Sequence, residues 1–470
     1  MKRPIRKLLA ISIAALFFQG ACLQPVKAFT ITEEREVGEK LLYSVRSAFP
    51  LIDDPDLVQY LAGLGKEVLD VAGLQYFNYR FYIINDKEFN AFAAPSGLIF
   101  FYSGLIGSMV EEDELVSVLA HEIGHVVKRH LADRLEKGTV ISAASIAVAL
   151  AALALGGGAA TQAVMTSSLA AGQSANLHFS RHDEEEADLL AYGWMKKMGR
   201  NPEGQKRMLD TMRRISRYRS DRLPQYLLTH PNPEARLDYV QALMKMDEQQ
   251  LRKIPPRDEF AFLRFKYRVM VQSTDSFSFR EYLSNVISDG KKSEHERAMA
   301  RYGLSQLEMV LKNTDAALKQ LEQVIAIYPD RTILLVDKGI ILYNGGQYDA
   351  ARKLLEQAVN RNPDDMYAAF YLAKICQLQG DLSRAKTLFD TVSYTLPEYS
   401  KVYFELGRIA SLQQQSAASA LYLGKYYLYE GKLDSAEHSF KAALQDARAT
   451  AGQKEEGQQL LDTIERLKKN

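Results

Sequence analysis

His121-Glu122-Ile123-Gly124-His125 confines this chain more tightly than any other short stretch in it. Two histidines four apart share one side only if the segment is α-helical, where such residues stand one turn above each other. The stretch from Glu111 to Leu131 carries the pattern that helix needs. Leu115, Val118, Leu119, Ile123 and Val126 recur at steps of three and four, an apolar stripe that must meet a core. Glu111-Glu112-Asp113-Glu114 suits the positive end of the helix dipole, and Lys128-Arg129-His130 the negative end. On one continuous helix His130 falls about 180° around from His121. It therefore reads as a solvated helix-end residue, not a ligand.

Two imidazoles on one helical face can reach a single metal ion, with Glu122 beside them to polarise a water. Zinc fits this ligand set and lowers the pKa of a bound water to about 7. The bland alternative is two surface histidines on an amphipathic helix. A catalytic zinc normally has three protein ligands, and the third is expected in Ser180-Arg181-His182-Asp183-Glu184-Glu185-Glu186-Ala187-Asp188. A helix from Ala187 to Met198 follows. Glu184 and Asp188 share a face, so one can bind metal while the other orients a ligand histidine. Spacing alone leaves Glu184, Glu185, Glu186 and His182 all open, and a solvated acidic helix start is the competing reading.

Several segments, taken in order, carry a resemblance. Asn90-Ala91-Phe92-Ala93-Ala94-Pro95-Ser96-Gly97, Ser103-Gly104-Leu105, Leu119 to His125, and Ser180-Arg181 with Glu184 and Asp188 resemble the metallopeptidase family that holds the CAAX prenyl proteases and the heat-shock membrane protease X. Thr229-His230-Pro231-Asn232-Pro233-Glu234-Ala235-Arg236 resembles its periplasmic branch, the β-barrel assembly-enhancing protease type with a C-terminal tetratricopeptide domain. The likeness covers about residues 35–245 and, more loosely, the repeats beyond. It implies one zinc held by His121, His125 and Glu184, with Glu122 as base and Asp188 behind a ligand. It also directs attention to Asn90, Arg181 and Arg236 as substrate-facing or supporting residues. Ser96 stands where the family usually has glycine, a change expected to alter a turn. His230 precedes proline and is expected in an extended or turn conformation. It reads either as a residue at the open zinc position, even a fourth, inhibitory ligand, or as a plain loop histidine. Arg236 is placed to pair with a carboxylate or polarise a substrate carbonyl.

Tyr79 to Asn85 and Leu98 to Tyr102 are rich in aromatic and β-branched residues and read as strands, with a turn at Pro95-Ser96-Gly97 between them. An edge strand beside the metal could align an extended peptide, unless the pair is an ordinary core hairpin. At the start, Lys2, Arg3, Arg6 and Lys7 precede an apolar run from Leu8 to Phe18, and Val26-Lys27-Ala28 offers a small-residue cleavage site. Residues 1–28 are expected to be a secretory signal peptide leading to the periplasm. Lipoprotein anchoring through Cys22 is the alternative, disfavoured by Gln19. Removing 1–28 takes away five basic and no acidic residues, leaving 54 basic against 58 acidic and a net charge of −4. No basic body or motif argues for a nucleic-acid partner. Cys376 is then the lone cysteine, so no intrachain disulfide can form.

Beyond a boundary at Lys253-Ile254-Pro255-Pro256, separating residues 29–252 from 257–470, a repeat emerges. Pro329, Pro363 and Pro397 are 34 apart, as are Ala317, Ala351 and Ala385, and Gly346 and Gly380. Thirty-four is the tetratricopeptide period, a helix-turn-helix unit that stacks into a curved scaffold. Gly431-Lys432-Leu433 repeats Gly380-Asp381-Leu382 after 51 residues, one and a half periods, so an extra helix is expected around Ala417 to Tyr429. Its Tyr422, Tyr426, Tyr427 and Tyr429 serve packing or a concave binding surface.

Within residues 140–172, Val140 to Leu155 is apolar but about 16 residues long, short of the roughly 20 a bilayer needs. Two small-residue helices with a hinge at Gly156-Gly157-Gly158 are expected, as a buried hairpin, an active-site lid or a peripheral membrane contact. The expected fold is an α+β zinc metallopeptidase domain, mostly helical with a small sheet, followed by an all-α repeat solenoid. The expected function is a periplasmic zinc endopeptidase acting on misfolded or stalled outer-membrane proteins, its repeats docking them or their assembly machinery. The rival is a chaperone-like repeat scaffold with a latent or structural zinc site.

Overall fold

The computed structural model describes residues 30–137, 179–218 and 224–468. The expected signal peptide at 1–28, the Cys22 alternative and the interval 140–172 lie outside them. Among the described residues no helix is long and apolar enough to cross a membrane. Cys376 is a buried free thiol.

The described residues begin with α1 (Ile31–Ala48), opened by a Thr30–Glu33 capping box, and α2 (Pro55–Ala72), capped by the Asp54 carboxylate with proline in its first turn. A three-stranded sheet follows: β1 (Arg80–Ile84), β2 (Ala91–Ala94) and β3 (Leu98–Tyr102), in the order β1-β3-β2. The central β3, Leu-Ile-Phe-Phe-Tyr, is buried at every position, the continuous apolar run of a strand covered on both faces. Phe81, Ile83, Ile99 and Phe101 join the main catalytic core. Leu98, Phe100 and Tyr102 join a second cluster under α1.

Both expected strands exist, but the turn at Pro95-Ser96-Gly97 does not join them. It joins β3 to β2, which runs antiparallel with Ala91 opposite Phe101. β1 lies parallel on the far side of β3, Arg80 opposite Leu98. The Ala-Phe-Ala-Ala of β2 has little strand propensity, so pairing with β3 alone makes it a strand. Ser96 adopts a φ of 71°, the left-handed conformation that favours glycine.

The remaining described helices of this part are α3 (Ser103–Ser108), α4 (Glu112–Val127), α5 (His130–Lys137), α6 (Arg181–Lys197), α7 (Glu203–Tyr218), α8 (Gln225–Thr229), α9 (Pro233–Met246) and α10 (Glu248–Leu251). The carboxylates opening α4 do more than suit a dipole: the Arg200 guanidinium, 1% exposed, meets Glu112 at 2.8 Å and Asp113 at 3.0 Å. The single helix expected from Glu111 to Leu131 is split, because Arg129 takes a φ of 54° between α4 and α5.

The repeat region comprises α11 (Phe260–Ser273), α12 (Ser276–Ser288), α13 (Glu294–Val310), α14 (Thr314–Ile327), α15 (Ile333–Asn344), α16 (Tyr348–Arg361), α17 (Met366–Leu378), α18 (Leu382–Thr395), α19 (Ser400–Leu412), α20 (Ser416–Tyr429), α21 (Leu433–Gln445) and α22 (Ala451–Lys468). Residues 252–259, around the expected boundary, are turn and irregular structure. The next helix nevertheless serves both cores: Phe262, Phe265 and Val269 of α11 enter the catalytic core, while Phe260, Tyr267 and Val271 enter the repeat core. Inter-helix turns with positive φ fall at Lys312, Gly346, Gly380 and Gln414, a 34-residue ladder. Helix α20 is therefore the regular second helix of its unit, not an extra one. The phase breaks afterwards, at Gly431, only 17 residues beyond Gln414, so that α20 packs against both α19 and α21. Tyr422, Tyr426 and Tyr429 pack on the repeat core and Tyr427 on the terminal cluster.

The two parts are tightly joined. A Cβ on Gly431 would lie 2.8 Å from the Arg46 carbonyl carbon, so the repeat turn rests on the α1 backbone. Nearby, Arg46 meets Glu398 at 2.6 Å, and Arg264 of α11 links Asp56 at 2.7 Å to Asp337 at 2.8 Å.

Candidate metal centre

His121 and His125 stand one turn apart on α4, and Glu184 reaches them from the first turn of α6. The helices approach closely because α4 has glycine at 124; a Cβ there would sit 3.3 Å from the Ala187 Cα. Ser180 caps α6 in a capping box with Asp183, fixing the turn that carries Glu184. His230 enters from the end of α8. All four side chains are buried, and each offers a ligand atom within 4.8 Å of the others.

The separations have a meaning. A zinc tetrahedron with arms of about 2.1 Å has edges of about 3.4 Å. Here His121 Nε2 lies 3.0 Å from His125 Nε2 and 3.5 Å from Glu184 Oε2, while His125 Nε2 lies 3.4 Å from Glu184 Oε1. His230 Nδ1 supplies a fourth corner, 3.3 Å from His121 Nε2 and 3.0 Å from Glu184 Oε1. The donor set and its spacing fit zinc.

Around it, Asp188 Oδ1 stands 2.9 Å from His121 Nδ1. Arg236 holds that carboxylate bidentately, Nε to Oδ2 at 2.7 Å and Nη2 to Oδ1 at 2.9 Å. Its Nη1 lies 2.7 Å from Glu184 Oε2, a close ion pair without hydrogen-bond alignment. Glu122 is fully buried, and neither of its oxygens has a hydrogen-bond partner among the described residues. His230 Nε2 faces it at 3.6 Å.

Burial opposes charge throughout, but the partners overcome it at the carboxylates. His230 and Arg236 hold Glu184 well below the usual carboxylate range, and Arg236 and His121 do the same for Asp188. Burial and Arg236 both depress His121, yet Asp188 and Glu184 outweigh them and lift it to about 9. Burial keeps His125 well below its ordinary value. Glu184 and Asp188 are thus held in their ionised forms.

The other candidates are placed differently. Asn90 is buried, its carbonyl accepting the Tyr102 amide at 3.0 Å and its side chain bonding the Tyr102 hydroxyl, so it braces the sheet. Arg181, His182 and Glu185 are exposed at the start of α6. His130 is not solvated. It is 5% exposed and its Nδ1 lies 2.9 Å from His125 Nδ1. The continuous-helix geometry misplaced it, because left-handed Arg129 turns it back toward the site. Phe179, stacked on His125 with ring centres 3.9 Å apart, and Tyr226, 4.4 Å from the His230 ring, also line the cluster. Neither bears a motif that would reveal it.

Residues 55–244 match the model of Peptidase family M48, and residues 297–331 and 342–403 match tetratricopeptide-repeat models. The Beta-barrel assembly-enhancing protease of Escherichia coli (strain K12) is 30% identical over 304 residues, 64% of this chain and 61% of that protein. The chain thus spans about three fifths of that relative's length. The Putative beta-barrel assembly-enhancing protease of Vibrio cholerae serotype O1 is 28% identical over 345 residues, 71% of this chain and 70% of that one. Mitochondrial metalloendopeptidase OMA1 of Schizosaccharomyces pombe is 30% identical over 183 residues, 39% of this chain and 51% of that one. The family implies a metal, in keeping with the donor cluster. Residues 55–244 are a Peptidase family M48 domain, and the chain joins it to tetratricopeptide repeats.

Proposed function

We propose that the chain is a zinc-dependent endopeptidase of the bacterial periplasm that degrades misfolded or stalled outer-membrane proteins and assists their assembly. One observation carries the chemistry: a buried, closely spaced His121–His125–Glu184 donor set beside a buried carboxylate, Glu122, whose oxygens have no hydrogen-bond partner among the described residues. His121, His125 and Glu184 would hold zinc, which would supply Lewis acidity and make water a nucleophile near neutral pH. Glu122 takes a proton from the attacking water and delivers it to the leaving amine. Asp188 and Arg236 hold His121 and Glu184 in their orientations. Strand β2 packs against α4 and, among the described residues, pairs on one side only, so its free edge can align an extended substrate. The repeats dock the substrate or its assembly machinery. The relatives' names support a setting in β-barrel assembly, and the basic, apolar leader at 1–28 supports export.

The test is proteolysis of an unfolded outer-membrane protein by the mature chain beside Glu122→Gln at matched zinc content. Cleavage by the wild type alone supports the enzyme and the base together. Cleavage by both removes Glu122 as base.

A second reading has its own support. His230 Nδ1 brings a fourth donor into the cluster, and a site closed by four protein donors is latent or structural. A latent peptidase becomes active in His230→Ala. A structural site in a chaperone-like scaffold leaves His230→Ala inert while zinc stays bound.

A further inference from the structure

We propose that His130 and Glu186 form a relay that selects the tautomer and orientation of His125, making His130 a positioning residue for the metal centre. The inference rests on reading His125 as a ligand through Nε2.

The geometry permits one arrangement of protons. His125 Nε2 points into the donor cluster, so its lone pair must be free and its proton must sit on Nδ1. That Nδ1 lies 2.9 Å from His130 Nδ1, and two ring nitrogens so close share one proton. His125 is then the donor and His130 Nδ1 the acceptor. The proton of a neutral His130 must lie on Nε2, where a carboxylate oxygen of Glu186 stands 2.9 Å away to accept it. The other Glu186 oxygen lies 2.6 Å from Lys128 Nζ, which turns the carboxylate toward His130. Reversing the relay would put a proton on His125 Nε2 and remove it as a ligand. His121 receives the equivalent support directly from Asp188 at 2.9 Å. The two ligand histidines are thus backed by carboxylates, one directly and one through an interposed imidazole.

The backbone is shaped to place this imidazole. Arg129 holds a left-handed φ of 54°, a conformation that residues other than glycine seldom adopt. Its guanidinium is anchored to Glu34 at 3.0 Å. Without that turn His130 would point away from His125. Phe179, stacked on His125 and covered by Arg134 at 4.8 Å, covers the face of the His125 ring.

The test is zinc affinity, measured on the metal-free full-length mature chain by competition with a chelating dye. Asparagine can place an oxygen near the position of a histidine Nδ1, whereas glutamine reaches toward Nε2 and Glu186. Loss of an outer-shell partner typically lowers metal affinity about ten- to hundredfold. His130→Leu and His130→Gln are expected to show that loss, and His130→Asn to recover most of it. The visible spectrum of the cobalt-substituted protein should shift in the first two and return toward wild type in His130→Asn. Should leucine prevent folding, the asparagine and glutamine pair still decides. Glutamine binding better than asparagine, or all variants binding as wild type, overturns the relay. If the wild type binds no zinc, the metal reading falls with it. If it binds zinc but shows no peptidase activity, the affinity comparison still judges the relay.

Discussion

Glu398→Ala should unfasten the repeats from the catalytic domain. Glu398, in the loop before α19, accepts from Arg46 Nη2 and Arg80 Nη1 at 2.6 Å each and from the Tyr82 hydroxyl at 2.5 Å. The Arg46 side chain is only 4% exposed. Its remaining support is the Tyr429 carbonyl at 3.0 Å and nearby tyrosine rings. Breaking a fully buried pair by removing one partner costs about 3–5 kcal/mol. Glu398 keeps 27% exposure, so water can replace part of the lost interaction and the expected cost is about 2–3 kcal/mol. Burial pushes its carboxyl up, but Arg46 and Arg80 prevail and hold it below the usual range. The stabilisation is therefore complete above the unfolded-state pKa of about 4.3 and lost as pH falls through the lower folded value. Urea unfolding can be followed by fluorescence of Trp194, the chain's sole tryptophan, buried in the catalytic core, and by helical ellipticity, to which the repeats contribute heavily. The wild-type transitions should coincide; in Glu398→Ala they should separate, with the loss stated above. Coincident transitions with a change under about 0.5 kcal/mol would refute this view of the interface.

Gln414→Gly and Lys312→Gly place glycine at left-handed turn positions and should each raise stability by about 0.5–1 kcal/mol, read from the repeat transition. Arg236→Lys loses the bidentate grip on Asp188, and zinc titration should show affinity down about tenfold. Glu122→Gln should retain zinc, by metal analysis, while losing peptide hydrolysis. His230→Ala should raise turnover of an unfolded substrate if His230 closes the site, and leave it unchanged if the histidine is a bystander.

Local patterns made much of the chain legible. The apolar steps of three and four around His121 and His125 require a helix with both imidazoles on one face. Pro329, Pro363 and Pro397 disclose the repeat, since each unit ends the same way at the same interval. Glu184 was different: spacing left four candidates open, and only the resemblance selected it. Short β2 carried no strand signal because its pairing with β3 is non-local. The phase break was visible at Gly431, but not that Gln414 takes the glycine conformation and keeps α20 in register.

Sequence alone therefore determined the zinc-motif helix face and the repeat period, because helix periodicity and repeat length are short-range properties of the chain. Tertiary structure alone decided which side chains converge. His130 faces His125 because one residue, Arg129, turns the chain left-handed under the hold of Glu34 on α1. His230 meets Glu184 because α8 and α6 pack in the same core. Glu398 meets Arg46 because Gly431 lets two backbones touch. Each contact joins residues whose proximity depends on a turn or on packing between distant segments, so no local periodicity could announce it.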